Sequence, residues 1–400
     1  MTQINRQIRR LVRMACAGLL ATCALWNTAV APAQASSTGA YTTSAVISLP
    51  GAIPVALMPC GNDVYVANYA TNNVSVINPV TNTVSTTIAV GANPFGLACD
   101  GATLYVANYG GNSVSVIDTS TKSVVGSPIA VQAGPTGVAV SGSRLFVSNQ
   151  TSNSVSVVDT NTRMVIGSPI SVAQNPYGVA ASNGKVYVAH NSATTATVID
   201  AANLATQSIA LGHQSQYVSV ANGIVYFTSH DSNELLRVDE ATRVVQTAIT
   251  LNGGTTGLWI DGSTAYVPSI ALDSVYVVDL NSASMTETLA VGDAPDAVAT
   301  YSQSLFISHH NPTNAVWILT TPQVVASGSA VPTAPVQAYA PGPDEACGAN
   351  PPPSVNWPGL VDLAQQGWGL SWAEWPNDGR GGLVCVRTPF YTAAGTWGVR

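Results

Sequence analysis

The chain has 400 residues, room for one large domain or several small ones, and is 46% apolar with only 8% charged residues. Thirteen Lys and Arg stand against twenty Asp and Glu, a formal net charge of −7. Basic residues this sparse exclude a surface built to neutralise phosphates, so nucleic acid is not an expected partner.

In chain order the first element is an address. Arg6, Arg9, Arg10 and Arg13 precede an apolar run from Met14 to Trp26, and Ala33-Gln34-Ala35 offers a small-x-small cleavage pattern, so residues 1–35 read as a signal peptide. The apolar run is shorter than the ~20 residues that span a bilayer, and no transmembrane segment is expected. Cleavage removes four basic residues and no acid, leaving nine against twenty and a net charge of −11. The expected location is exported: periplasmic, or extracellular at a bacterial cell surface.

From residue 41 the chain repeats itself. A landmark recurs seven times, at Tyr65, Tyr105, Phe146, Tyr187, Tyr226, Tyr266 and Phe306, with spacings of 40, 41, 41, 39, 40 and 40 residues. Within one copy the apolar residues alternate, as in "SVSVID" from Ser113, which predicts short strands. Each copy offers four, such as "FGLAC" from Phe95, "TLYVANY" from Thr103, "SVSVID" and "VVGSPIAV" from Val124. Asp100-Gly101, Ser141-Gly142, Asn183-Gly184, Asn222-Gly223 and Asp261-Gly262 fit tight hairpin turns between the first two strands. Four antiparallel strands in about 40 residues describe a propeller blade. The seventh copy has only "AVWIL" from Ala315 after its landmark, while residues 44–49 form an extra strand ahead of the first copy. Pairing the two closes the ring, and residues 41–320 are expected to form an all-β, seven-bladed propeller.

The pattern "YVAN…NSVSVIDT…V…I.VG..P.G.A" resembles the YVTN-repeat, YncE-like seven-bladed propellers of bacteria. The resemblance covers about 280 residues. It implies secreted or cell-surface binding and structural roles, without a shared catalytic motif. Related propellers include lactonases and lyases, but a shared fold does not transfer their chemistry.

Propeller topology sends the loops between the second and third strands, and those between blades, to one face around the channel mouth. The landmark ends on that face, which places Asn68, Asn108, Asn149, His190, His230, His309 and His310 there, with His213 in a loop between blades. His190, His213 and His230 form the candidate metal group, as histidine is the commonest metal ligand. The competing reading is that histidine replaces the repeat's asparagine and makes the same loop hydrogen bonds. A second ring follows the residue that opens each inner strand: Val55, Phe95, Thr136, Tyr177, Tyr217, Thr256 and Asp296. Aromatics and a carboxylate around a concavity suit a small organic or peptide ligand, or they plug the channel as packing. Asp118, Asp159, Asp200, Asp239 and Asp279, with Asn78 in the first blade, end the third strands and read as turn formers.

Past Leu319 the composition shifts. Residues 321–343 are rich in Pro, Ala and Ser and read as a linker. Residues 344–400 hold five of the eight tryptophans and read as a small β-module. Trp368, Trp372 and Trp375 either fill its core or form an aromatic surface for a glycan or partner. Cys347 and Cys385 bracket the module and are expected to staple it. Cys60 and Cys99 read as equivalent positions of neighbouring blades whose side chains run parallel, which leaves a second bridge open.

The expected function is non-catalytic binding of a small ligand or protein partner at the channel-mouth face, by a monomer without a cofactor. The alternatives are a metal-dependent hydrolase or lyase, lactonase-like, holding a divalent metal at the histidines, and a structural protein of the surface-layer type.

Overall fold

The computed structural model describes residues 41–229, 231–310 and 313–320, and the backbone of 369–374 and 383–388. The expected signal peptide, the expected linker and the expected Cys347–Cys385 pairing, with His230 and the side chains of Trp368, Trp372 and Trp375, lie outside the described residues.

The repeats fold as seven antiparallel sheets arranged as propeller blades, six of four strands and the second of five because its outer strand is split in two. Blade 1 runs outward in chain order as strands a to d: Pro54–Cys60, Asp63–Asn68, Asn73–Asn78 and Thr83–Ala89. Blades 2 to 6 follow the same order, with strand a starting at Pro94, Pro135, Pro176, Ser215 and Trp259. Blade 7 takes its inner three strands, Pro295–Tyr301, Ser304–His309 and Ala315–Thr320, from the end of the repeats and its outer strand, Thr42–Ser48, from the beginning. That outer strand pairs antiparallel from Thr42↔Thr320 to Ser48↔Ala315. Apart from it, a two-stranded sheet pairs Gly369–Glu374 with Leu383–Thr388. No helix among the described residues is long and apolar enough to cross a membrane.

Alternation decides where the core sits. Strand b of blade 1 is buried at all six residues, while strand d reads exposed at every second one. Opposite faces of each blade therefore pack on different neighbours, and the molecule has a set of cores between blades. Tyr65, Val74 and Val76 of blade 1 meet Leu97, Leu104 and Ile117 of blade 2. The last such core joins Phe306, Val316 and Ile318 of blade 7 to Val64 and Ile77 of blade 1, with Ile47 of the closing strand.

Around the channel, the inner strands come close enough that side chains must be absent. A Cβ on Gly96 would lie 2.1 Å from the carbonyl oxygen of Thr136, one on Gly137 2.3 Å from that of Tyr177, and one on Gly178 2.8 Å from that of Gln216. The "P.G" signature is thus a packing requirement: the third residue of strand a faces the backbone of the next blade.

One open question closes and two expectations need correction. The bridge left open between Cys60 and Cys99 forms, with their Cα atoms 5.7 Å apart, although the two positions are not equivalent. The register explains it: Cys60 pairs with Asp63, as Asp100 pairs with Thr103, so Cys99 stands one residue earlier in its strand than Cys60 does. A one-residue offset turns a side chain to the opposite sheet face, and the two thiols meet in the gap between blades 1 and 2. First, the outer strands of blades 2 and 3 are interrupted. "VVGSPIAV" yields only Ser123–Val124 and Ile129–Ala130, and blade 3 retains Ile170–Ser171. Gly126 and Gly167 take positive φ and are followed by Ser-Pro, whose proline has no N–H for the ladder. Second, only Asn183-Gly184 and Asn222-Gly223 hold both turn residues at positive φ; at Asp100-Gly101, Ser141-Gly142 and Asp261-Gly262 only the glycine does.

Two stability outcomes are expected. Gly137→Ala forces a carbon onto a backbone oxygen that cannot swing aside, and chemical denaturation should show a loss of about 1–3 kcal/mol. Replacing Cys60 and Cys99 together by Ser frees a loop of 39 residues' separation and should cost about 2–4 kcal/mol in the same assay.

Candidate functional site at the channel mouth

The landmark asparagines work inside the blades. Asn108 is fully buried, and its Nδ2 donates to Ser113 Oγ at 3.1 Å and Ser115 Oγ at 3.0 Å. Asn149 repeats this with Ser154 and Ser156, and Asn68 with Asn73 Oδ1 and Ser75 Oγ. Each amide ties the end of strand b to the start of strand c. His190 does the same: it is buried, its Nδ1 lies 2.9 Å from Thr195 O and its Nε2 3.4 Å from Thr197 Oγ1. Histidine thus takes over the asparagine's part in blade 4.

The other described histidines are divided among separate partners. His213 lies 3.2 Å from Asp231 Oδ1 and 3.7 Å from Glu234 Oε2. His309, buried against Trp317, has its Nδ1 2.9 Å from Asp293 O. His310 Nε2 stands 3.0 Å from Asp296 Oδ2. Among the described residues no group of three or more His, Cys, Asp or Glu side chains is placed to hold a metal ion.

The second ring does converge, with one change of register. Ser215 pairs with Ser229 as Pro176 pairs with His190, so the mouth position of blade 5 belongs to Gln216, and Tyr217 occupies the slot filled by glycine in blades 2, 3, 4 and 6 and by alanine in blades 1 and 7. The hydrogen bonds agree: the N–H groups of Gly137, Tyr217 and Ala297 donate to Ser148 Oγ, Thr228 Oγ1 and Ser308 Oγ. The missing "NP" of blade 5 hides this shift. Thr136 and Thr256 are buried and bond to carbonyls of the following blade, Thr136 to Tyr177 O at 3.2 Å and Thr256 to Pro295 O at 3.1 Å.

The aromatics meet over the small Thr136. Tyr177 makes edge-to-face contacts with Phe95 (centroids 5.5 Å apart) and with Tyr217 (5.4 Å). Phe95 continues to Tyr69 and Tyr109, each at 6.4 Å. Tyr69 and Tyr109 follow the landmark in the first two blades; that recurrence was the available signal for them. Four of the five rings are half-buried and keep accessible surface, and Tyr177 is buried between its neighbours. Loss of hydration, then the charges of Tyr177 and Asp296, push the Tyr217 hydroxyl well above its usual range.

No family model matches the chain, and no curated protein does. Solved structures do. Hydrazine synthase of Kuenenia stuttgartiensis is similar over 75% of this chain and 99% of that one, with a TM-score of 0.58 and 18% identity. The computationally designed Ika8 protein is similar over 68% of this chain and 98% of its own, with a TM-score of 0.52 and 12% identity. Likeness at these identities is likeness of fold.

Burial sets the protonation of the interior histidines. Loss of hydration lowers His309 to about 4, against the pull of the Asp293 carbonyl, and lowers His190 as well. A histidine depressed below its unfolded value of 6.5 binds its proton more readily when unfolded. Its stabilisation is therefore complete above about pH 6.5 and declines as pH falls towards 4. Denaturant midpoints measured across that window should drop as the solution is acidified, by up to roughly 3 kcal/mol for His309. His309→Asn, which installs the side chain used in blades 1 to 3, should flatten the decline.

Proposed function

We propose that the protein is an exported, non-catalytic propeller of the YVTN-repeat, YncE-like kind that holds a small ligand or a segment of a protein partner at its channel mouth. The observation that carries this reading is the chain of five rings from Tyr109 and Tyr69 through Phe95 and Tyr177 to Tyr217. Tyrosine combines apolar area with a polar tip, which suits a wall that must both stack a ligand and stay wet when empty. The repeat itself fixes only the scaffold, and the mouth is where the copies differ most in chemistry: Val55, Phe95, Thr136, Tyr177, Gln216, Thr256 and Asp296 stand at one repeat position. Export is supported by the basic and apolar leader and by the Cys60–Cys99 bridge, a bond that persists in oxidising compartments.

Ligands found in a small-molecule screen should slow backbone hydrogen exchange in the segments around Tyr69, Phe95, Tyr109 and Tyr177, and should bind Tyr177→Ala at least about tenfold more weakly. Protection confined to the opposite end of the blades would remove the mouth as the site.

A further inference from the structure

Charge is distributed unevenly along the blades. Residues 54–210, which form blades 1 to 4, contain nine Asp, Lys and Arg residues and no Glu. All nine lie at the far end: Asp63, Asp100, Arg144 and Lys185 at the turns from strand a to strand b, and Asp118, Lys122, Asp159, Arg163 and Asp200 where strand c runs into strand d. The mouth end of these four blades carries none. Its loops expose amides and hydroxyls instead, among them Thr71, Gln132, Thr151, Gln174 and Thr194.

One repeat position sets the rim. The residue after the landmark donates its N–H to the loop ahead of its own blade: Tyr69 to Ile53 O, Tyr109 to Asn93 O, Gln150 to Gly134 O and Asn191 to Asn175 O. Blades 1 and 2 thus present a phenol where blades 3 and 4 present a carboxamide. With Phe95 the two phenols form a triangle whose centroids are 6.4 Å apart on every side, and all three rings keep accessible surface. The amides follow along the same rim. Gln150 is half-buried, and the Asn191 side-chain oxygen is buried and accepts no hydrogen bond among the described residues.

A charged ligand gains from an opposite charge, and this part of the mouth offers none. A neutral ligand also avoids the cost of stripping water from an ion at a half-buried site. Among neutral ligands, a saccharide matches both kinds of side chain. Its hydroxyls donate and accept, as a carboxamide does, and they supply the donor that the Asn191 oxygen lacks. The C–H groups on the face of a pyranose carry a slight positive charge and settle on the negative face of an aromatic ring. Resting on the binding role given above, we infer that the mouth of blades 1 to 4 takes a sugar unit of an uncharged glycan, stacked on Tyr69 and Tyr109 with its hydroxyls on the amides of Gln150 and Asn191.

The test titrates the full chain calorimetrically, up to millimolar ligand, with cellotetraose, chitotetraose, mannotetraose and maltotetraose, and with tetragalacturonate as a charged counterpart. At least one neutral sugar should bind, and the uronate should not. Tyr109→Ala should weaken that sugar at least about tenfold, while Tyr109→Phe, which keeps the ring, should stay within about twofold of the parent. Gln150→Ala should weaken it about three- to tenfold with an unchanged melting temperature, which keeps the placement testable if Tyr109→Ala unfolds. Binding of no neutral sugar, binding of the uronate as tightly as its neutral relatives, or a sugar indifferent to both alanine variants would each overturn the inference. Where ligands of the screen still protect the mouth in those cases, the binding role stands and the site passes to another chemistry, such as a neutral peptide. Without that protection the binding role falls as well.

Discussion

A ring of sheets has no stable intermediate count: each blade is apolar on both faces, and every face needs a neighbour. The structure therefore depends on one long-range pairing, the addition of Thr42–Ser48 to the outside of Ala315–Thr320. Ser44 Oγ donates to Ile318 O across 274 residues of sequence, and Tyr41 reaches Tyr266 of blade 6 hydroxyl to hydroxyl at 3.0 Å. These contacts are made only when all the intervening blades are in place, so the entropy of closing that loop is offset late, by cores formed in pairs along the way. The inner strands add the second constraint. Their glycines admit the backbone of the next blade, and the approach that results draws the mouth residues into contact across blades.

The mouth follows from this arrangement. In every blade but the sixth, strand a begins with a bulge; in blade 2, Phe95 and Gly96 together oppose one residue of strand b, Ala107. The bulge aims one side chain per blade towards the channel while the strand beyond it keeps its alternation. With a small threonine in blade 3, the rings of blades 2 and 4 touch directly. A recognition surface is in this way assembled from residues some 40 positions apart, and its character can change at the mouth without disturbing the cores between blades.

The repeat period, the strand count and the circular closure were legible because they are written as spacing, and spacing survives in a single sequence. The bland role of His190 was legible too, since the serines that serve Asn108 and Asn149 have a counterpart in Thr197. What escaped had a common cause, a one-residue error of register. Cys60 and Cys99 look equivalent by eye but differ by one place, which decides whether the thiols face each other. Tyr217 looks like the partner of Tyr177 but follows Gln216 into the glycine slot, because blade 5 lacks the proline that marks the count elsewhere. The aromatic chain at the mouth was hidden for another reason: it exists only once the chain is bent into a circle.

The Cys60–Cys99 bond has a mechanical meaning. The closing strand is the outermost in its blade and the first among the described residues, so tension applied from its amino-terminal side peels Thr42–Ser48 from Ala315–Thr320 and then draws on the inner strand of blade 1. That strand ends at Cys60, and there the pull passes through a covalent link into blade 2. A chain tugged by its leading end can thus lose its latch while its first two blades stay fastened together, and the latch remains at hand to close again.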